Sequence, residues 1–258
     1  MAVAHSMNRR RPDADIGMSA QERHTRQELA AAYRLAYRHG WDDLIYTHIS
    51  ARVPGSRDQY LVNGFGLCFE EITASNLVKI DVDGVIVGAS DYPVNAAGFI
   101  IHSAIHEAMD EHHCVMHLHT PAGMAVSAMG EGLLPLSQYA MRFHERIGYH
   151  EFEGIALSDG EKKSLVADLG QHKAMILRNH GVLTCGATVA EAFVYMYYLE
   201  IACQVQVAAM NAGRPHLPAA GVPGLTARQF ADDVDPPGSR EWPAMLRRLD
   251  REQPGYKD

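Results

Sequence analysis

The sequence predicts an α/β protein built in layers, with a largely antiparallel central sheet and helices on both of its faces. Three observations carry this. Short apolar runs at residues 59–63 and 77–81, the second followed by Asp83-Gly84, read as paired strands with a hairpin signal. Capping boxes at Ser19, Ser158 and Thr188, each with a glutamate three residues on, open helix-periodic stretches. A strand, tight turn and strand are written at residues 174–184, around Arg178-Asn179-His180-Gly181.

The elements follow in order. Residues 1–18 are polar and aperiodic and read as a disordered tail. Ser19 caps a helix to about His39, with Leu29, Ala32, Tyr33, Ala36 and Tyr37 on one face. Residues 44–53, 59–63 and 77–81 read as strands, with a helical turn at 73–76 and a further extended piece at 85–87. Residues 95–110 form a helix that carries His102 and His106 on one stripe. A buried strand ends in His117-Leu118-His119-Thr120-Pro121, and Pro121 starts a helix to Met129. Residues 133–136 and 146–149 are short extended pieces. Ser158 opens a helix to Leu169, the hairpin follows, and Thr188 opens a long apolar helix to Ala212. Gly213 and Pro215 stop it. The stretch from Pro218 to Pro237 reads as irregular, and a short amphipathic helix around Trp242, Leu246 and Leu249 closes the chain.

Composition narrows the function. The 258 residues are 47% hydrophobic, enough for one core. The expected division is a tail at 1–18, a main domain at 19–215 and a C-terminal extension at 216–258. A net charge of −8 with no basic stripe argues against nucleic acid. No apolar run reaches ~18 residues, so no membrane span is expected. No signal peptide is evident, and the four scattered cysteines read as reduced core thiols, so the expected location is cytoplasmic.

The chemistry-bearing stretch is His117-Leu118-His119. Alternation along a strand puts both imidazoles on one face, ~6–7 Å apart at Cβ, a spacing that suits one metal ion. Alone, the pair is a weak signal and reads more readily as two histidines satisfied by backbone carbonyls. His180 adds to it, because a turn tip next to Gly181, a residue free to take positive φ, is a poor place for a core histidine. Three neutral imidazoles leave a divalent ion an open position, as in catalytic sites. A cupin would want a glutamate after the pair, a metallo-β-lactamase an aspartate where Pro121 stands, and an amidohydrolase barrel more βα units.

The motifs His117-Leu118-His119-Thr120 and Arg178-Asn179-His180-Gly181, with residues 77–84 and the long helix after Thr188, resemble the class II aldolase/adducin family over residues 20–215. The resemblance implies a three-layer α/β/α subunit, assembly as homotetramers with sites between subunits, and a divalent metal on His117, His119 and His180. Zinc is expected first, with manganese or iron as alternatives. It also implies a small-molecule substrate and a catalytic tyrosine, which Tyr139 matches by position.

The chain departs from the sugar-phosphate aldolases of that family. Their Ser-Ser-Glu segment falls here on Ala96, Ala97 and Gly98, so the proton-transfer glutamate is missing. Their Gly-Asn-x-Ser loop appears as Thr47-His48-Ile49-Ser50. His48 and His102 are the expected replacement bases, with Glu145, Glu151 and Glu153 less favoured. Arg142 and Arg178 are the expected carboxylate anchors. The expected function is a metal-dependent lyase that cleaves a C–C bond next to a carbonyl or carboxylate, by aldol cleavage or decarboxylation. The alternatives are a non-haem iron oxygenase on the same three histidines and a non-catalytic, adducin-like interaction module.

Overall fold

The computed structural model describes residues 18–154, 159–231, 233 and 235–258, with the side chains of 96–99 and 159 left out. The N-terminal tail and the capping serine Ser158 therefore lie outside the described residues. Eight α-helices and seven strands are present among those described: α1 Ala20–Arg38, β1 His48–Arg52, β2 Gln59–Val62, β3 Val78–Asp81, α2 Ala96–Ala108, β4 Cys114–Leu118, α3 Pro121–Ser127, α4 Gln138–Met141, β5 Gly148–His150, α5 Asp159–Leu169, β6 Ala174–Leu177, β7 Gly181–Gly186, α6 Val189–Ala212, α7 Val222–Ala231 and α8 Glu241–Glu252.

The strands form one sheet in the order β3-β2-β1-β4-β7-β6-β5. All neighbours are antiparallel except β5 and β6, which run parallel. The largely antiparallel sheet is thus found, with one parallel edge.

Alternation along β4 divides the core between the two faces. Cys114, Met116 and Leu118 join Leu29, Phe193, Met196 and Leu199 from α1 and α6. Val115 points the other way, to Ile101 and Ile105 of α2 and Leu165 and Leu169 of α5. Helices on both faces make the fold three-layer α/β/α.

Local chemistry explains the helix ends. The Ser19 hydroxyl accepts from Glu22 N at 3.0 Å, and the Thr188 hydroxyl from Glu191 N at 3.0 Å. On α1 the buried face is the expected one, except that Tyr37 falls off it at 38% exposure. Along α6 the burial includes Glu200, whose carboxylate accepts from the Thr120 hydroxyl and from Gln204. Thr120 also caps α3 by accepting from Gly123 N at 3.2 Å. The chain leaving the His-x-His strand is therefore tied to the central helix.

Several expectations are corrected. The expected strand at 44–53 begins only at His48, because Leu44 and Thr47 take positive φ (53° and 64°). A 3-10 turn forms at Phe69–Glu71, and residues 73–76 are a hydrogen-bonded turn, Asn76 N to Thr73 O. Residues 85–87 give a single bridge, Ile86 to Ile80. Residues 133–136 join no strand; Leu133 N and Leu134 N donate instead to the Tyr149 hydroxyl and the Gln206 side chain.

The region read as irregular contains α7. Its Pro223 sits in the first turn, where its missing N–H costs nothing, so it does not break the helix. The C-terminal segment packs on the main domain. Trp242 packs at a tilt against Phe193 and donates to Glu28 at 2.6 Å, and Ala74 N donates to Tyr256 O.

Candidate metal centre

β4 and β7 are paired so that His117 faces Leu183 and Leu118 faces Val182. This register sets the turn before β7 against the end of β4. The turn closes with His180 N on Leu177 O, and Asn179 takes the left-handed conformation at φ 54°. Gly181 was expected to supply the positive φ and does not. It is needed for a different reason: a Cβ there would lie 2.5 Å from Leu118 O and 3.1 Å from the His119 ring. Only a glycine lets the two backbones close and bring His180 beside His117 and His119.

The three imidazoles meet, with ligand nitrogens within 4.8 Å of one another and ring centroids 4.7–4.8 Å apart. Burial pushes His117 well below the ordinary pKa, with the neighbouring His180 charge adding to it. Burial, with His119 beside it, pushes His180 down to about 4. Both rings are neutral at pH 7, the state a metal ligand needs.

The other ring nitrogens fix the tautomers. His117 Nδ1 donates to Val182 O at 3.2 Å, and His119 Nδ1 donates to the Asp43 carboxylate at 3.0 Å. In the neutral form that a metal ligand takes, each ring then offers Nε2 as a bare lone pair. Those two Nε2 atoms face each other at 3.0 Å. Two lone pairs at that distance repel, and a cation between them turns repulsion into coordination. Zinc–nitrogen bonds of about 2.0–2.1 Å give a tetrahedral N–N spacing of about 3.3 Å, close to what is present. The donor set fits a divalent metal.

Asp43 stands where a carboxylate would support a metal-binding histidine. No local sequence pattern signals it, since it reaches His119 across the fold from the loop before β1. That loop is strained. Thr47 is β-branched, holds φ 64°, and its buried hydroxyl has no partner among the described residues.

His48 stands next to Thr47, opposite His117 in the β1–β4 register and 5.4 Å from it between ring centroids. Its Nδ1 lies 2.9 Å from His102 Nε2. The two expected replacement bases are thus brought together, and both are buried. Gly98, at the position of the missing glutamate, lies in α2.

Of the remaining expected residues, Arg178 and Glu151 line a small cleft with His180, while Tyr139 and Arg142 gather around Tyr198. Tyr139, 39% exposed on α4, stacks on Tyr198 and not on a histidine of the cluster. Arg142 lies over the rings of Tyr195, Tyr198 and Phe230. Arg178 donates to Met129 O and Gly130 O and stacks on Tyr149 at 4.5 Å, which ties the hairpin to the end of α3. Glu145, Glu151 and Glu153 are exposed. A cavity of about 660 Å³ lined by His24, Glu28, Arg52 and Asp110 includes none of the three histidines.

Comparison with known proteins matches this arrangement to a family. The model of the class II aldolase and adducin N-terminal domain matches residues 27–207. A Pseudomonas aeruginosa protein whose assignment as a class 2 aldolase is provisional is 47% identical over the full length of both chains. Rat alpha-adducin is 40% identical over 97% of this chain, which spans 36% of that protein. A solved aldolase II superfamily protein from Pseudomonas syringae superposes with a TM-score of 0.91 at 48% identity, covering 94% of this chain and 98% of that one. L-fuculose 1-phosphate aldolase from Glaciozyma antarctica superposes with a TM-score of 0.83 at 29% identity, covering 93% and 94%. The chain belongs to the class II aldolase/adducin family.

Proposed function

We propose that the protein is a metal-dependent carbon–carbon lyase acting on a small hydroxy-carbonyl or carboxylic-acid substrate, by aldol-type cleavage or decarboxylation. The observation that carries this reading is the convergence of the Nε2 atoms of His117 and His119, 3.0 Å apart, with His180 beside them. Zinc is the metal assigned to these three residues, ahead of manganese or iron. When bound there it supplies Lewis-acid polarisation of a substrate oxygen.

The chain's own residues do the rest. Asp43 and the Val182 carbonyl orient the two strand-end histidines. His48, paired opposite His117 with its ring 5.4 Å away, takes the place of the absent glutamate. Tyr139, exposed and outside its own cluster, is assigned to the site of a neighbouring copy in a homotetramer. Arg142 and Arg178 shape the surrounding surface through aromatic and carbonyl contacts. No helix among the described residues is long and apolar enough to cross a membrane, and a cytoplasmic setting is proposed.

The adducin relatives favour a second reading, an interaction module whose histidines hold no metal. Mass-spectrometric metal content of tag-free protein, purified without chelators, separates the two. About one zinc or manganese per chain, lost in His180→Ala, supports the lyase. About one iron redirects the assignment to an oxygenase. No metal after reconstitution leaves the interaction module.

A further inference from the structure

Behind His48, on the α2 side of the sheet, a row of buried polar side chains runs away from the histidine cluster. His48 Nδ1 is 2.9 Å from His102 Nε2. His102 Nδ1 meets the Ser50 hydroxyl, and that hydroxyl is 2.8 Å from His106 Nε2. His106 Nδ1 is 3.0 Å from the carbonyl oxygen of His112. The row exists because two periodicities coincide. His48 and Ser50 are two apart on β1, and His102 and His106 are one turn apart on α2. Tyr60, stacked on His106 at 4.4 Å, and Arg52, bonded to the His106 carbonyl, hold the far end in place.

The far end also sets the direction of every bond. A carbonyl only accepts, so His106 Nδ1 carries the hydrogen. Burial pushes His106 down to about 3, so the ring is neutral and its Nε2 is a bare acceptor. The Ser50 hydroxyl must donate to it. That hydroxyl has one hydrogen, now committed, so towards His102 it accepts, and His102 Nδ1 donates. Burial pushes His102 down to about 3 as well, leaving its Nε2 bare. His48 Nδ1 must then donate to that atom. With its one hydrogen on Nδ1, the neutral His48 ring carries its lone pair on Nε2. No hydrogen bond to that Nε2 occurs among the described residues.

We propose that Ser50, His102 and His106 are positioning residues that lock His48 in the Nδ1–H tautomer and hold its Nε2 as a bare acceptor for substrate beside the three-histidine centre. This rests on the lyase reading and deepens it. An acceptor at that place suits a substrate that offers a hydroxyl. His102 is accordingly a link in the row and not a base of its own, and Ser50 and His106 enter the site although neither touches it.

The test is long-range proton–nitrogen correlation spectroscopy on protein labelled with ¹⁵N-histidine, metal-free and with one equivalent of zinc. Single histidine substitutions assign the signals. The expected result is that His48, His102 and His106 each show a protonated Nδ1 and a bare Nε2, the tautomer less populated by free histidine, and that His48 keeps it with zinc. Ser50→Ala is expected to replace the single His48 tautomer by a mixture, and Ser50→Thr to restore it. A protonated Nε2 on His48, a zinc-bound Nε2 on His48, or a Ser50→Ala spectrum unchanged at His48 would overturn the proposal. Should Ser50→Ala fail to fold, the wild-type and Ser50→Thr spectra decide it. Failure to take up zinc would remove the lyase reading while the metal-free spectrum still decides the tautomers.

Discussion

The carboxylate of Asp43 lies 3.0 Å from Nδ1 of His119, and this contact decides which nitrogen His119 turns towards its two partners. With Asp43 accepting at Nδ1, it is Nε2 that meets the Nε2 of His117 at 3.0 Å. A residue with no sequence signature thereby orients a histidine 76 positions away.

Removing that contact should weaken metal binding without removing a ligand. Asp43→Ala is expected to lower zinc affinity by about 10–100-fold, the usual range for a group behind a ligating histidine. Asp43→Asn keeps an acceptor oxygen and should lose less. Competition with a chelator of known affinity measures both. Equal affinities for wild type and Asp43→Ala would show that the contact does not orient His119.

Gly181→Ala should damage stability and metal binding together. The new methyl would sit 2.5 Å from Leu118 O, a backbone atom that cannot move without parting β4 from β7. Overpacking of this kind costs about 1–3 kcal/mol. The urea midpoint should fall, and so should zinc affinity, because the same shift displaces the His119 ring. A fall in one with no change in the other would contradict the geometry.

Stability should depend on pH through the buried row. His102 and His106 have folded pKa values of about 3 against an ordinary 6.5. As pH falls below 6.5 the unfolded chain takes up protons that the folded chain refuses. Their contribution is fully present above pH 6.5 and is lost on the way down to pH 3, by about 1.4 kcal/mol per pH unit for each group. Urea titrations of metal-free protein at pH 7, 6 and 5 would show the slope. His106→Gln should lower stability at pH 7 and flatten the slope between pH 6 and 5, and an unaltered slope would count against a neutral, buried His106.

Much of the fold is legible in the chain because its signals are local. The capping hydroxyls of Ser19 and Thr188, the alternation through Met116 and His117, and the turn before Gly181 each act within a few residues. The three histidines are legible for the same reason. What is not legible depends on distant pairing. Asp43 means nothing until β1 lies beside β4. Ser50 and His106 join His48 and His102 only when α2 covers that strand. The positive φ at Asn179, expected at Gly181, shows a competition the sequence cannot rank: Asn tolerates the left-handed turn, so the glycine is free to serve the close approach. Helix α7 was obscured because Pro223 reads as a breaker unless its first-turn position is known.

The strand order has a consequence for assembly of the chain itself. His117 and His119 belong to the end of β4, and His180 to the turn before its neighbour β7. A slip of one residue between β4 and β7 would turn alternate side chains to the opposite face and take the ligands apart. An ion captured by all three can therefore bind only chains whose strands are aligned correctly. At a free concentration one hundred times its dissociation constant it would favour those chains by about 2.7 kcal/mol. Once loaded, the site would act as a proofreader of the sheet, favouring the one alignment in which the His117–His119 pair meets His180.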